Sequence, residues 1–444
     1  MALTTFVLMG ALLLVGAPLA VAFGLSIFAL MAGFGLTTTG LSGIPYEEVS
    51  NHALVAIPLF MLTGDLMNRS GMAGELIALS DLVLHRVRAA FGYITVAASA
   101  MMGAITGSSV ATVAAVGGVV SPEMIRRGYP NGYVAALTAS AGLLGVLVPP
   151  SIPLILYGAT VGVSVSDLFL ATLPAALIFS ALFLLVHRQL SRRLLRGGVE
   201  ARAGEAATLT AGPLPRRVVV ARATSALMLP VLILGGIYGG IFTPSEAAAV
   251  GCLYAIGAAL VRRLLRLDML AQSFRSAVIT GAGILIIIAM TGVFNRAMVL
   301  NQVPQDIAAW VATFIDSPVV FLLMVNLVLL LVGTFMETNA SILLMGPLLA
   351  PAAQRFGIDP VHFGIVLATN LEIGLLTPPM AANLYVAARA ARCRMGDMLP
   401  YLGWFFLVAI VGQLVLTFVP FVTLWFRFLS PSYSSGIGVR CVLG

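Results

Sequence analysis

Two Pro-Pro pairs interrupt long apolar stretches of this chain, in Val148-Pro149-Pro150-Ser151 and Thr377-Pro378-Pro379-Met380. Proline lacks an N–H and disfavours helix in the residue before it, so such a pair unwinds the helix it interrupts. Carbonyls released from helical bonding can coordinate a cation, and half-helix N-termini beside them favour an anion. Small polar runs accompany the prolines. Gly107-Ser108-Ser109, with Thr106 before it and Thr112 after, lies central in one apolar stretch, and Gly333-Thr334 takes a corresponding place later on. Together these oxygens could dehydrate and hold Na⁺ without a carboxylate. Glu337 and Glu372 lie close to the second polar run and the second Pro-Pro pair. An acid inside a membrane segment is a candidate for ion or proton coupling, against the plainer reading of a hydrogen-bonded structural acid. Asp65, Glu123 and Glu246 sit nearer segment ends, where capping or water accounts for them. Glu246 follows Thr243-Pro244-Ser245 and reads as a first-turn helix acid.

Other chemistries lack their parts. All 24 basic residues are arginine. A phosphate-binding P-loop, Schiff-base chemistry and Ser–Lys chemistry each need the missing lysine. Cys252, Cys393 and Cys441 have neither metal-site nor disulfide spacing, and His52, His85, His187 and His362 are scattered. A hydrolase using Ser108 or Ser109 would need a base, and no His or Lys falls at a matching depth. The chain is therefore read as no enzyme, and its energy as coming from an ion gradient or another subunit.

The elements that must position these residues are membrane helices. Of 444 residues 60% are hydrophobic and only 9% charged, against roughly a quarter charged in soluble domains. Apolar segments run 3–16, 18–37, 49–68, 131–162, 167–187, 218–239, 246–263, 276–294, 359–388 and 400–426, with paired arms at 92–106 and 110–125 and at 317–332 and 338–354. The first segment has no positive n-region and continues past its small residues, so it reads as membrane helix and not as a signal peptide. Arginines cluster between segments, as the positive-inside bias produces, which leaves nucleic-acid binding without support. The cluster from Arg188 to Arg222, with its Gly and Pro residues, reads as a cytoplasmic linker over 191–217.

The arginines flanking the first polar run, Arg86 and Arg88 with Arg126 and Arg127, allow two crossings or one re-entrant hairpin. An internal repeat favours the hairpin. Gly107 and Gly333 differ by 226 positions, as do Pro18 and Pro244, while Gly128–Gly357, Gly145–Gly374 and Pro149–Pro378 differ by 229. The expected fold is all-α and polytopic. Repeat one spans 1–190 with hairpin 92–125, and repeat two spans 218–427 with hairpin 317–354, followed by a tail at 428–444. Each repeat has about five transmembrane helices and one re-entrant hairpin. The odd number of crossings inverts the second repeat, a secondary-transporter arrangement with its site near the midplane.

These motifs resemble the large membrane subunit of tripartite ATP-independent periplasmic (TRAP) transporters. The resemblance rests on Gly-Ser-Ser-Val-Ala-Thr at 107–112, Val-Pro-Pro-Ser at 148–151, Phe-Thr-Pro-Ser-Glu-Ala at 242–247, Gly-Thr-Phe-Met-Glu at 333–337 and Leu-Thr-Pro-Pro-Met at 376–380. It implies an elevator-type fold of the ion-transporter superfamily in the bacterial inner membrane. It implies Na⁺-driven import of an organic acid anion, such as a C4-dicarboxylate or sialic acid, and two or more coupled ions. It also implies a periplasmic substrate-binding protein and a small four-helix membrane subunit as partners. One sodium site would use Ser108, Ser109, Gly145, Val148 and Pro150, the other Gly333, Thr334, Gly374, Thr377 and Met380, mostly through backbone carbonyls. Substrate would sit between the hairpin tips, near Ser108, Ser109, Thr112, Ser151, Thr334, Thr338 and Asn383. A stand-alone anion transporter of the same superfamily is the nearest alternative.

Overall fold

A computed structural model of the chain describes residues 7–12, 15–34, 43–84, 87, 89–196, 215–315 and 317–429, and over these its regular structure is helical throughout. The greater part of the expected linker and the tail from 430 onward lie outside the described residues. The first half runs through α1 (Leu19–Phe34), a short α2 (Ile44–Val49), α3 (Ala56–Arg69) and α4 (Met72–Leu84). Two helical arms follow, α5 (Ala90–Thr106) and α6 (Ser109–Arg126). Then come α7 (Asn131–Ala141), a single turn α8 (Leu144–Leu147), α9 (Ile152–Val161) and the long α10 (Val165–Arg196). The second half has α11 (Arg216–Tyr238), α12 (Pro244–Val261), α13 (Leu267–Leu300) and α14 (Val303–Phe314). Its paired arms are α15 (Pro318–Phe335) and α16 (Thr338–Arg355), followed by α17 (Pro360–Gly374), α18 (Ala382–Ala391), α19 (Met395–Phe418) and α20 (Pro420–Leu424).

Six of the described helices are long and apolar enough to cross a membrane, and the bent α7–α9 unit brings the number to seven. Their faces are apolar nearly all round, as lipid in place of water requires. Helix starts follow local signals. Thr243 and Glu246 form a reciprocal capping box at α12, as the first-turn acid predicts. Asp359 caps α17 by accepting from the N–H groups of Val361 (2.8 Å) and His362 (3.3 Å), with Pro360 at the first helical position.

The sequence places no element at 72–84 or 303–314, yet α4 and α14 form there. Both are too short and too interrupted by acids to stand out in a hydropathy reading. α13 begins at Leu267, well before the expected 276. Its first turns carry Asp268, Gln272 and Arg275, polar residues that extend a helix beyond its apolar stretch. α10 likewise continues through Arg196, into the segment expected to be linker.

The helices sort by contact into two groups. α1, α2 and α3 pack on α13, α3 also on α12, and α4 on α11. The paired arms, the interrupted helices α7–α9 and α17–α18, and α10 and α19 pack chiefly among themselves. α7 and α17 form the centre of this second group, where all residues from Gly132 to Ala141 and from Val361 to Gly374 are buried. Contacts between the groups run mainly from α3 and α4 to α5, and from α13 to α16, with smaller ones from α4 to α6, α11 to α5 and α3 to α9.

Candidate ion and substrate site

The first pair of arms turns at Gly107-Ser108. Gly107 closes α5 in the left-handed region at φ 59°, and Ser108 is extended, so α6 starts afresh at Ser109. A side chain at Gly107 would also meet the Pro150 carbonyl at 2.8 Å, so close approach as well as conformation calls for glycine. The first Pro-Pro pair lies against this turn. Val148 and Ser151 are extended on either side of it, and the Ile152 N–H donates to the Gly107 carbonyl at 3.2 Å. Beneath the turn the Thr106 and Thr112 hydroxyls share a 2.9 Å hydrogen bond. A Cβ at Gly145 would lie 2.6 Å from the Ser108 carbonyl and 2.5 Å from the Thr112 hydroxyl. The structure thus gathers Ser108, Gly145 and Pro150 of the first expected ion set, with Val148 starting the extended segment. Ser109 lines a cavity beside Gly107 and Ser108, together with Glu372.

The second half repeats the plan with different side chains. Gly333 packs on Gly374 and the Leu371 carbonyl, as Gly103 packs on Gly145 and the Leu144 carbonyl in the first half. The Met380 N–H donates to the Thr334 carbonyl at 3.0 Å, matching the Ile152–Gly107 bond. Thr377 bonds back to the Gly374 carbonyl (2.6 Å), and Thr334 to the Leu331 carbonyl (2.7 Å). The turn itself falls at Met336-Glu337, one helical turn beyond Gly333. Aligning Gly107 with Gly333 therefore misplaces this tip, because Gly333 is a packing glycine and not a turn glycine. The register that fits pairs Ser108 with Glu337, each the N-cap of its second arm, at the 229-residue offset of the prolines.

The interrupted helices cross over between halves. α9 packs on α16, and α18 packs on α6 and α7. Gly117 of α6 meets Ala390 of α18, and Gly346 of α16 meets Val161 of α9, two contacts related by the same 229 positions. Small residues here let backbones approach closely where lipid supplies no hydrophobic drive.

A cavity of about 580 Å³ lies where the two helix groups meet. Met61, Gly64, Asp65 and Asn68 of α3 and Ser276 and Thr280 of α13 form one wall. The opposite wall carries Gly107, Ser108, Ser109, Glu337, Asn339 and Glu372. Ser108 and Ser109 are the expected substrate residues that reach it. Thr112 bonds to Thr106 beneath the turn, while Ser151, Thr338 and Asn383 are buried outside the cavity lining with side-chain polar atoms that lack hydrogen-bond partners. Asp65, Asn68, Ser276 and Thr280 are missed by the sequence, since nothing local shows that α3 and α13 face the turns. Asp65 pairs with Arg69 at 2.6 Å, and Glu337 caps α16. A second cavity of about 180 Å³ also borders α13, beside Glu48, Thr160, Asn295 and Arg296.

Comparison with known proteins decides what this arrangement belongs to. Residues 6–422 match the family model "Tripartite ATP-independent periplasmic transporter, DctM component". The chain belongs to the DctM family of TRAP transporters. It is similar to the C4-dicarboxylate TRAP transporter large permease protein DctM of Pseudomonas aeruginosa, at 36% identity over 85% of this chain and 87% of that protein. It is similar to the sialic acid TRAP transporter large permease protein SiaM of Vibrio cholerae, at 35% identity over 85% of this chain and 87% of that protein. The isethionate TRAP transporter permease protein DctMQ of Oleidesulfovibrio alaskensis matches at 33% identity over 93% of this chain, which spans 64% of that longer protein. In fold it resembles the YdaH transporter of Alcanivorax borkumensis, with a TM-score of 0.60 at 16% identity, covering 89% of this chain and 88% of the other. As a TRAP large permease the chain is a transport protein of the inner membrane and not an enzyme.

Proposed function

We propose that this TRAP permease is the membrane core of a sodium-gradient-driven importer of an organic acid anion. The observation that carries the reading is the meeting of both Pro-Pro breaks with the paired-arm segments at Gly107 and Thr334, beside a cavity between two helix groups. Around the first break the available ligands are carbonyl and hydroxyl oxygens of Ser108, Thr112 and Pro150, with glycines where a Cβ would intrude. Such an all-oxygen set suits a hard cation held as cargo. The second break offers carbonyls of Gly333, Thr334, Gly374 and Thr377 in the same role.

No arginine lines the cavity among the described residues. An anion there would be met by hydroxyls, by the N-terminus of α6 and by co-bound cations. C4-dicarboxylate, sialic acid and isethionate, named for the relatives, are all organic anions. The two halves are read as inverted repeats of about five crossings and one re-entrant hairpin each. The group built on α7 and α17 would slide as an elevator against the group containing α3 and α13. A periplasmic substrate-binding protein would deliver the anion, and a small four-helix membrane subunit would complete the permease.

The test is uptake of labelled succinate, N-acetylneuraminate and isethionate into proteoliposomes containing the chain, its small subunit and its binding protein. Uptake of one anion is expected only with an inward sodium gradient. Equal uptake without the gradient would sink the sodium assignment, and full uptake without the binding protein would favour a stand-alone transporter.

A further inference from the structure

The second cavity, of about 180 Å³, lies further along the stripe of α13 that lines the first. Ser276, Thr280 and Ile284 face the central cavity, and Thr291, Asn295 and Val299 continue the stripe into the second. Thr280 and Asn295 stand about 22 Å apart along the helix. The positive-inside bias holds Arg262, Arg263 and Arg266, just ahead of α13, in the cytoplasm. The second cavity therefore lies toward the periplasmic face. Its walls come from both helix groups, α2 and α13 on one side and α9 and α16 on the other.

Glu48 seats on α13 because Gly292 makes room, since a Cβ there would stand 2.3 Å from the Glu48 Cγ. Arg296 follows one helical turn after Gly292 and lines the same cavity. Yet among the described residues neither Glu48 nor Arg296 makes a hydrogen bond or an ion pair. Asn295 is half committed. Pro347 has no N–H to give the Leu343 carbonyl one turn back in α16, and Asn295 supplies one from Nδ2 at 3.1 Å. That bond uses one of its two amide N–H groups. Thr160 and Thr291 donate to carbonyls of their own helices, Leu156 (2.8 Å) and Ile287 (2.7 Å), so they present accepting oxygens to the cavity.

The cavity thus sets a guanidinium and an amide N–H beside a carboxylate and two accepting hydroxyl oxygens. A plain anion would suit the donors and be repelled by Glu48, and a plain cation meets the reverse conflict. A ligand with an anionic end and a hydrogen-bond donor satisfies both. The volume is below the roughly 300–1,000 Å³ of pockets for drug-sized ligands, so the ligand is small. A guanidinium takes two oxygens of a carboxylate or sulfonate at once.

We propose that this outer cavity is a binding site of its own for a small carboxylate or sulfonate carrying a hydroxyl or ammonium group, its anionic end on Arg296 and Asn295 and its donor on Glu48. The proposal rests on the anion-importer reading above and narrows its cargo. The site holds the anion before it reaches the central cavity, and the carboxylate of Glu48 keeps that hold weak enough for the anion to leave.

Equilibrium dialysis of the purified full-length chain in sodium-free buffer reads this site, since none of the expected ion ligands lines it. The probes are radiolabelled succinate, L-malate and L-aspartate, with ethanesulfonate, isethionate and taurine as a second series. Within each series only the hydroxyl or ammonium group is added. In one series the hydroxyl- or ammonium-bearing acid is expected to bind at least about tenfold tighter than its parent. Arg296→Gln should weaken that binding at least about tenfold, and Glu48→Gln should bring parent and derivative within about twofold of each other. Parent acids that bind as tightly as their derivatives, binding by Arg296→Gln equal to wild type, or no binding of any probe would each overturn the proposal. Should Glu48→Gln fail to fold, the exposed Arg296→Gln and the ranking of the probes in wild type decide. Uptake into proteoliposomes separates this site from the importer reading. Arg296-dependent binding without uptake of any probe would refute import and keep the site, whereas uptake by Arg296→Gln with the wild-type KM would refute the site alone.

Discussion

Gly333 and Gly374 lie in backbone contact, so that a Cβ on Gly374 would stand 2.6 Å from the Cα of Gly333. The contact presses an arm of the second pair onto the helix that leads into the second Pro-Pro break. Gly374→Ala must push these backbones apart, an overpacking cost of about 1–3 kcal/mol. Gly257→Ala in α12, with nothing within 4 Å, is expected to be neutral or to stabilise by up to about 1 kcal/mol through helix propensity. Thermal unfolding of the two variants in detergent checks the contrast, and equal melting temperatures would contradict the packing role.

The Thr106–Thr112 hydrogen bond lies directly under the first turn. Thr112→Val keeps the shape and removes the hydroxyl, at about 1 kcal/mol of stability. It also removes an oxygen beside Gly145 and the Ser108 carbonyl, so for the sodium site proposed above the sodium concentration for half-maximal stabilisation should rise. A double-mutant cycle with Thr106→Val should return a coupling of at least about 0.5 kcal/mol. Additive effects would show that the pair is not one unit.

A buried polar network ties α15, α17 and α19 together. Asn326 Oδ1 accepts from Asn370 (2.6 Å), Gln413 (2.9 Å) and Thr417 (3.3 Å). Asn326→Leu removes the shared acceptor, leaving the Asn370 amide unpaired while Gln413 and Thr417 keep the Val366 and Gln413 carbonyls, and is expected to cost about 1–3 kcal/mol. Asn370→Leu removes one donor and leaves the others paired, so it should cost less. The order of the two melting temperatures is the measurement, and a reversed order would contradict this account.

Glu75 of α4 and Arg262 just after α12 form a two-pronged ion pair, and Arg262 also reaches Ser225 of α11. Both side chains are about one-fifth exposed, between the surface and buried limits. Arg262→Met is therefore expected to destabilise by about 1–3 kcal/mol. Glu75→Gln with Arg262→Met together should recover part of that loss, because the uncompensated charge is gone. Unfolding in low and high salt reads both effects.

Much of the site was legible because its cause is local. The Pro-Pro pairs extend the chain at 148–151 as proline chemistry dictates, and Gly107-Ser108 makes the first turn because a left-handed position and a cap are both written there. Glu246 caps its helix for the same kind of reason. The second turn was harder to read. Met336-Glu337 carries no glycine, and the nearby Gly333 drew the alignment one helical turn too early. Asp65, Asn68, Ser276 and Thr280 were out of reach for another reason. They belong to the cavity only because α3 and α13 lie across from the turns, and in lipid the apolar pattern of a helix does not say which neighbour it will meet.

The reciprocal seating of α9 on α16 and α18 on α6 bears on how the protein is made. The ribosome delivers α6 to the membrane well before residues 382–391 exist. Until those residues insert, the α6 face at Gly117 has no Ala390 to rest on. In turn, α9 awaits α16. The first half must therefore wait in the bilayer unfinished, and insertion of α18 completes the first half as well as the second. A truncation late in the gene would for this reason leave helices synthesised early without their packing partners.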